Sequence, residues 1–189
     1  MQRKTEHNIN NIFTKRWSPR SLTGELIKEE EFLSIIEAAR WAPSSFNEQP
    51  WKFLYATRNS KNWDKFFELL VEANQQWVKN ASHLVLIISK KTFTKNGNDN
   101  VVHMFDAGSA WENAALQASE LNIVAHGIAG FDYNKAREEL NIPEDYTVCA
   151  MFALGYQDSK DKLPENFQAG EEPSNRKPVS EILIKGKFS

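Results

Sequence analysis

The apolar residues of this chain of 189 residues recur at two spacings. Between Lys28 and Trp41, the residues Phe32, Ile35, Ile36 and Ala39 fall on one stripe, which predicts an amphipathic helix. Glu29, Glu30 and Glu31 suit its first turn, where carboxylates meet the positive end of the helix, and Pro43 stops it. From Trp51 to Thr57 the period shortens to two: Trp51, Phe53 and Tyr55 alternate with polar Lys52, which predicts a strand. Asn62 to Asn80 returns to helical spacing through Trp63, Phe66, Phe67, Leu70, Val71 and Trp77. His83 to Ser89 is apolar throughout and predicts a central strand.

The second half continues the mixture. Lys90 to Asp99 is polar and predicts a loop. Asn100 to Leu121 predicts the longest helix, whose small residues Ala107, Gly108, Ser109, Ala110, Ala114 and Ala115 permit close approach of another helix or a ring. A strand over Ile123 to Gly127 follows, then a short helix from Tyr133 to Asn141 stopped by Pro143, and a strand from Tyr146 to Tyr156. Gln157 to Pro178 is polar and proline-containing, which predicts an extended arm without regular structure. Val179 to Ile184 regains apolar character, so Leu183 and Ile184 need burial. Strands and helices do not alternate strictly. The expected class is therefore α+β, a sheet flanked by helices, and not a doubly wound parallel sheet. No Gly-x-Gly-x-x-Gly opens a helix, so a resident dinucleotide is not expected.

Composition narrows this picture to one soluble domain spanning 1–189, with 41% hydrophobic and 25% charged residues. A net charge of −2 gives no general attraction to nucleic acid or to an anionic membrane. The longest apolar run is too short to span a bilayer, and residues Met1 to Glu6 carry no apolar signal segment. Cys149 is the single cysteine and cannot form an intrachain disulfide, so the expected compartment is the reducing cytoplasm. Basic residues do cluster locally: Arg3, Lys4, Lys15, Arg16 and Arg20 near one end, Arg176, Lys177, Lys185 and Lys187 near the other. If the two ends meet, they make an anion site suited to a phosphate.

Two short segments concentrate the candidate chemistry. In Arg16-Trp17-Ser18-Pro19-Arg20, two guanidinium groups flank a hydroxyl, a combination suited to phosphate and carbonyl-rich rings. In Arg40-Trp41-Ala42-Pro43-Ser44-Ser45-Phe46-Asn47-Glu48-Gln49-Pro50-Trp51, hydroxyls and amides sit between prolines and tryptophans, as in ligand-positioning loops. Taken singly, Arg16 and Arg20 read as surface arginines, Pro43-Ser44-Ser45 as a helix stop, Asn74 as a solvated helix residue, and Gly127 and Gly130 as turn glycines. The four histidines show no metal-ligand spacing, so no metal site is expected. His83 and His126 are expected at strand ends as structural residues, and Cys149, between Val148 and Ala150, as an inert core thiol.

Together these segments resemble the flavin-dependent nitroreductase family. The order Arg-x-Ser-x-Arg, then Ala-Pro-Ser-Ser-Phe-Asn-Glu-Gln-Pro-Trp, then Asn74, then Gly127-Ile128-Ala129-Gly130-Phe131-Asp132, then Arg176-Lys177-Pro178 covers most of the chain. The resemblance implies a three-layer α-β-α sandwich with a mixed, largely antiparallel sheet, in a homodimer whose arm from 157 to 189 wraps the partner. It implies FMN as cofactor and NADH or NADPH as a transient co-substrate. Hydride would pass through flavin N5 to a small aromatic oxidant, a nitroaromatic or quinone, in a ping-pong sequence without a general acid or base side chain. Dehalogenation, flavin cleavage, or a non-catalytic flavin-binding dimer are the alternatives on the same fold.

The resemblance also implies roles. Arg16 and Arg176 would hold the phosphate, Ser18 the ribityl-phosphate end, and Arg20 the N1 and C2-carbonyl edge. A fixed cation there stabilises the charge that reduction leaves on N1. Asn74 would serve the pyrimidine edge as donor and acceptor. Ala129 and Gly130 would bring backbone N–H groups to N5 and the C4 carbonyl, where a missing Cβ permits close approach. Trp17 would wall the ring or simply pack. Ser44, Ser45 and Asn47 would reach a flavin held mainly by the other subunit. Ser174 stands where some members carry a second basic residue, so either Arg176 would have less help with the phosphate or Lys177 would substitute.

Overall fold

The computed structural model describes residues 3–188; Met1, Gln2 and Ser189, the ends of the expected single domain, lie outside the described residues. Four strands form one sheet: β1 (Trp51–Thr57), β2 (His83–Lys90), β3 (Ile123–Ile128) and β4 (Tyr146–Tyr156). Their order is β1-β2-β4-β3, and each of the three pairings is antiparallel. The helices are α1 (Ile12–Lys15), α2 (Glu29–Arg40), α3 (Trp63–Phe67), α4 (Glu72–Val78), α5 (His103–Glu120), α6 (Tyr133–Glu139), α7 (Glu165–Gln168) and α8 (Val179–Ile182).

The apolar run of β2 serves both sides of the sheet, because successive side chains of a strand point to opposite faces. Leu84, Leu86 and Ile88 pack with Trp63, Phe66, Trp77 and Ala136 from α3, α4 and α6. Val85 and Ile87 pack with Phe32, Ile35 and Ala39 of α2 and with the alanines of α5. This is the three-layer α-β-α arrangement. The small residues of α5 allow α2 to approach closely, and Ala107, Ala110, Ala114, Ala115 and Ala118 are all buried. Two polar ties fix the crossing: Asn113 Nδ2 donates to Ala38 O at 3.2 Å, and Gln117 Nε2 donates to Ser34 Oγ at 3.1 Å.

Three expectations need correction. The helix expected over 62–80 is two helices, α3 and α4, because the chain extends at Leu69–Val71 to pair with the segment after β3. There Val71 N donates to Gly130 O at 3.1 Å and Asp132 N to Leu69 O at 2.8 Å. Helical spacing continues through this break, so the pattern of apolar residues does not reveal it. His126 lies inside β3, not at its end, while His83 does open β2. His83 stacks on Phe32 at 4.3 Å, and burial pushes its pKa down from about 6.5 to about 4. The arm from residue 157 contains short helical turns, and its first half folds back on its own chain. Leu22 bridges Gln157, Asp158 N donates to Ser21 O at 2.9 Å, and Ser21 Oγ donates to Ser159 O at 2.6 Å.

Cys149 is half-buried in β4, and burial pushes its thiol up to about 11, as suits an inert core residue. Among the described residues, no helix is long and apolar enough to cross a membrane.

Candidate functional site

The strap Arg16–Arg20 begins where α1 ends. α1 is one turn, and at its C-cap Arg16 the backbone turns extended, with φ −63° and ψ 126°. Arg16 Nη1 donates to Ser18 Oγ at 3.5 Å, while Arg16 Nε lies 3.8 Å from Glu112 Oε1 on α5. Arg3 crosses the strap and donates to Thr14 O at 3.1 Å and to Arg16 O. Arg176 arrives from the far end of the chain. Together Arg3, Arg16, Trp17, Ser18, Ser174 and Arg176 line a cavity of about 250 Å³. The two basic ends of the chain do meet.

Positive charge outweighs negative in this cavity: among the described residues, Glu172 is the one carboxylate in its lining, and it pairs with Lys160 at 3.9 Å. Burial lowers the pKa of Arg3, and the nearby charges of Arg176 and Arg16 lower it further. Neither Arg3 nor Arg176 is ion-paired to a carboxylate among the described residues. The Nε atoms of Arg3 and Arg16 are buried without a hydrogen-bond acceptor. Converging guanidinium forks with open donors are suited to a phosphate-like anion. Lys177 pairs with Glu181 at 3.9 Å and lies outside this cavity, but it lines an adjoining one together with Arg3, Arg16 and Arg176.

A second cluster forms at the break between α3 and α4. The break places Asn74 against Gly130, and Asn74 Nδ2 donates to Gly130 O at 2.9 Å. A Cβ on Gly130 would lie 2.6 Å from Asn74 Nδ2 and 3.1 Å from Val71 Cγ2, so this approach requires glycine. Trp77 Nε1 donates to Asn74 Oδ1 at 3.2 Å, which leaves the amide one hydrogen and one lone pair for a ligand. Ala129 precedes this glycine on the exposed end of the turn, and Phe131 N donates to its carbonyl at 3.1 Å.

One ring joins the two clusters. His126 lies 4.5 Å from Trp77, ring to ring, and its Nδ1 donates to Pro19 O at 2.9 Å. A carbonyl only accepts, so Nδ1 carries the proton. Burial holds the His126 pKa below its ordinary value, opposed by the Pro19 carbonyl and assisted by Arg20. Arg20 itself, at the strap's end, lines a cavity of about 300 Å³ with Gln76 and Trp77. Arg3, Trp77 and His126 were not among the expected site residues. Arg3 belonged to a visible basic cluster. The others carry no local signal, because their partners are far away in sequence.

Ser44, Ser45 and Asn47 stand apart from both clusters. Their loop ends α2 and lies over the start of α5, where Ser45 N donates to Asp106 Oδ2 at 3.1 Å. Three non-glycine residues there have positive φ: Phe46 at 51°, Asn47 at 56° and Gln49 at 51°. Left-handed backbone costs such residues about 1–2 kcal/mol each. Gln49 N donates to Ser44 Oγ at 3.0 Å, and the Glu48 carboxylate accepts from Thr94, which lowers its pKa. Phe46 at the tip is 93% exposed and meets the Phe93 ring edge-on at 5.6 Å.

The sheet, its two helical layers and an arginine-lined cavity define a class of small α+β proteins. The profile of the nitroreductase family matches residues 13–76 and 58–156. A protein of Archaeoglobus fulgidus, provisionally named an NADH dehydrogenase/NAD(P)H nitroreductase, is 32% identical over 155 residues, 79% of this chain and 86% of that one. A crystal structure of an oxidoreductase containing FMN matches with a TM-score of 0.94 and 39% identity, covering 99% of this chain and 96% of that one. A protein from Desulfovibrio desulfuricans, provisionally called a nitroreductase and solved in complex with FMN, matches at 0.74 with 25% identity over 96% and 100% of the two chains. The chain belongs to the nitroreductase family.

Proposed function

We propose that this protein is an FMN-dependent oxidoreductase, driven by NADH or NADPH and acting as a homodimer in the cytoplasm. The observation that carries the reading is the cavity where Arg3, Arg16 and Arg176 converge, with the Nε donors of Arg3 and Arg16 buried and unsatisfied. These residues fit a phosphate, and Ser18 adds a hydroxyl beside it. Arg20 and Asn74, tied together through Trp77 and His126, would hold the polar edge of a flat ring. Gly130 leaves room for that ring to lie against backbone. FMN held by these residues would supply two-electron redox chemistry between NADH or NADPH and a nitroaromatic or quinone, in ping-pong order.

The Ser44–Asn47 loop would complete the site of a partner subunit. Phe46 and Phe105 next to that loop are exposed, as are Ile182 and Leu183 on the arm. A soluble chain rarely leaves so many large apolar groups uncovered, which supports the dimer. The lone, inert Cys149 is compatible with a reducing compartment.

The test is direct. The protein is expected to purify yellow, to release FMN, and to be bleached by NADH or NADPH and reoxidised by a nitroaromatic or quinone, with parallel double-reciprocal plots. Released FAD, or no flavin binding at all, overturns the cofactor. Intersecting plots overturn the shared pocket. A yellow protein that neither nucleotide bleaches would be a flavin binder and not this enzyme.

A further inference from the structure

We propose that Glu171 is a positioning residue of this site, holding the strap and pairing with Arg20, so that a ring bound at Arg20 meets an ion pair and not a lone guanidinium. The proposal rests on the flavin reading above. Glu171 is only 6% exposed, although it comes from the polar arm. Carboxylates are almost never so buried without a partner. Its two oxygens have different surroundings. Oε1 accepts from the backbone N–H of Arg20 at 2.6 Å and of Ser21 at 2.8 Å. Oε2 is buried, has no hydrogen-bond donor, and lies 4.0 Å from Arg20 Nη1.

The arm thus grips Arg20 twice. Glu171 fixes its backbone and faces its charge, and the Phe167 ring lies 5.8 Å from the guanidinium carbon. The Arg20 side chain nonetheless keeps 34% of its surface open, enough to touch a ligand. Any acceptor of equal reach could do the work of Oε1. Only a charged group could do the work of Oε2, which is to oppose the positive field of Arg20. Two-electron reduction adds negative charge to the ring, so a carboxylate beside Arg20 disfavours the reduced state. Glu171 therefore sets how far Arg20 raises the potential of the bound cofactor.

Glu171→Gln separates the two roles, because glutamine still accepts from both N–H groups but carries no charge. The variant is expected to bind oxidised FMN as the wild type does and reduced FMN about tenfold more tightly, a rise in midpoint potential of about 30 mV for a two-electron couple. Glu171→Ala removes the acceptor too, and is expected to weaken binding of both redox states and lower the thermal midpoint of the apoprotein. Binding restored by glutamine but not by alanine assigns the strap-holding role to Oε1. An unshifted or lowered potential in Glu171→Gln overturns the proposal, as does FMN binding by Glu171→Ala equal to the wild type. If Glu171→Gln does not fold, Glu171→Asp draws the charge back by one methylene, and a smaller rise in potential is expected; no rise there overturns the proposal too. A wild-type protein that binds no FMN would instead defeat the functional reading itself.

Discussion

The strap Arg16–Arg20 and the loop Ser44–Asn47 are both short, polar and interrupted by proline, yet the chain treats them differently. The strap is held from several directions by its own subunit: Glu171 and Ser159 from the arm, His126 from β3, and Arg3 across the top. The loop is held mainly from within and at its base, by Ser44, Asp106 and Thr94, and its Phe46 projects into solvent. Strained backbone with an exposed aromatic tip makes sense for a surface completed by something outside the chain. The strap is finished within the chain, whereas the loop is the part that the proposed dimer would present to a neighbour.

The harshest test of that contrast is removal of everything after Pro173. The truncation deletes Arg176 and the exposed Ile182, Leu183 and Ile184, but leaves Glu171 and the strap contacts in place. The expected product is a folded, monomeric, colourless protein, judged by light scattering, circular dichroism and flavin absorbance. A truncated protein that stays dimeric and yellow would remove the assigned role of the arm's second half.

Two arginine variants sharpen the reading of the strap. Arg16→Ala is expected to weaken FMN binding in both redox states by about one to two decades, matching the roughly 1.5–3 kcal/mol of a charged hydrogen bond. Arg20→Ala is expected to lower the midpoint potential by roughly 30–60 mV, the same energy expressed in a two-electron couple. Flavin titration and redox titration on both variants decide the matter. If Arg16→Ala moves the potential and Arg20→Ala does not, the cofactor runs along the strap in the opposite direction.

Gly130→Ala probes the joint between Asn74 and the turn. The added methyl has its closest contact at 2.6 Å, so the Asn74 amide must leave Gly130 O. Overpacking of this kind costs about 1–3 kcal/mol. A lower urea midpoint together with about tenfold weaker FMN binding is expected, and unchanged binding would show that Asn74 does not touch the ring.

The smallest effect is expected at the loop. Asp106→Ala leaves the N–H of Ser45 without its acceptor, at a cost of about 1–3 kcal/mol to the conformation of the loop. Strap and monomer fold should persist, so the variant is expected to lose flavin only through its partner's site. Heterodimers of Asp106→Ala with Arg16→Ala subunits test this. They should keep about one undamaged site per dimer if sites are shared, and none if the loop serves its own subunit.

Local pattern was enough for much of the fold. The extents of β1 and β4, the apolar stripe of α2 and the doubly buried β2 follow from side-chain period and composition, which act within a few residues. The ordered segments also made Arg16, Asn74, Gly130 and Arg176 legible as candidates. Tertiary structure alone decided the rest. The break between α3 and α4 exists because Val71 pairs with Gly130, and helical spacing carries no mark of that. Arg3 entered the arginine-lined cavity because the two basic segments of the chain converge there. Glu171 reads as one more solvated acid in a polar arm, and only folding places it, 151 positions away, beneath the N–H of Arg20. Sequence encodes short-range preference directly, whereas the partners of a buried charge are set by which distant segments the fold brings within a few ångströms.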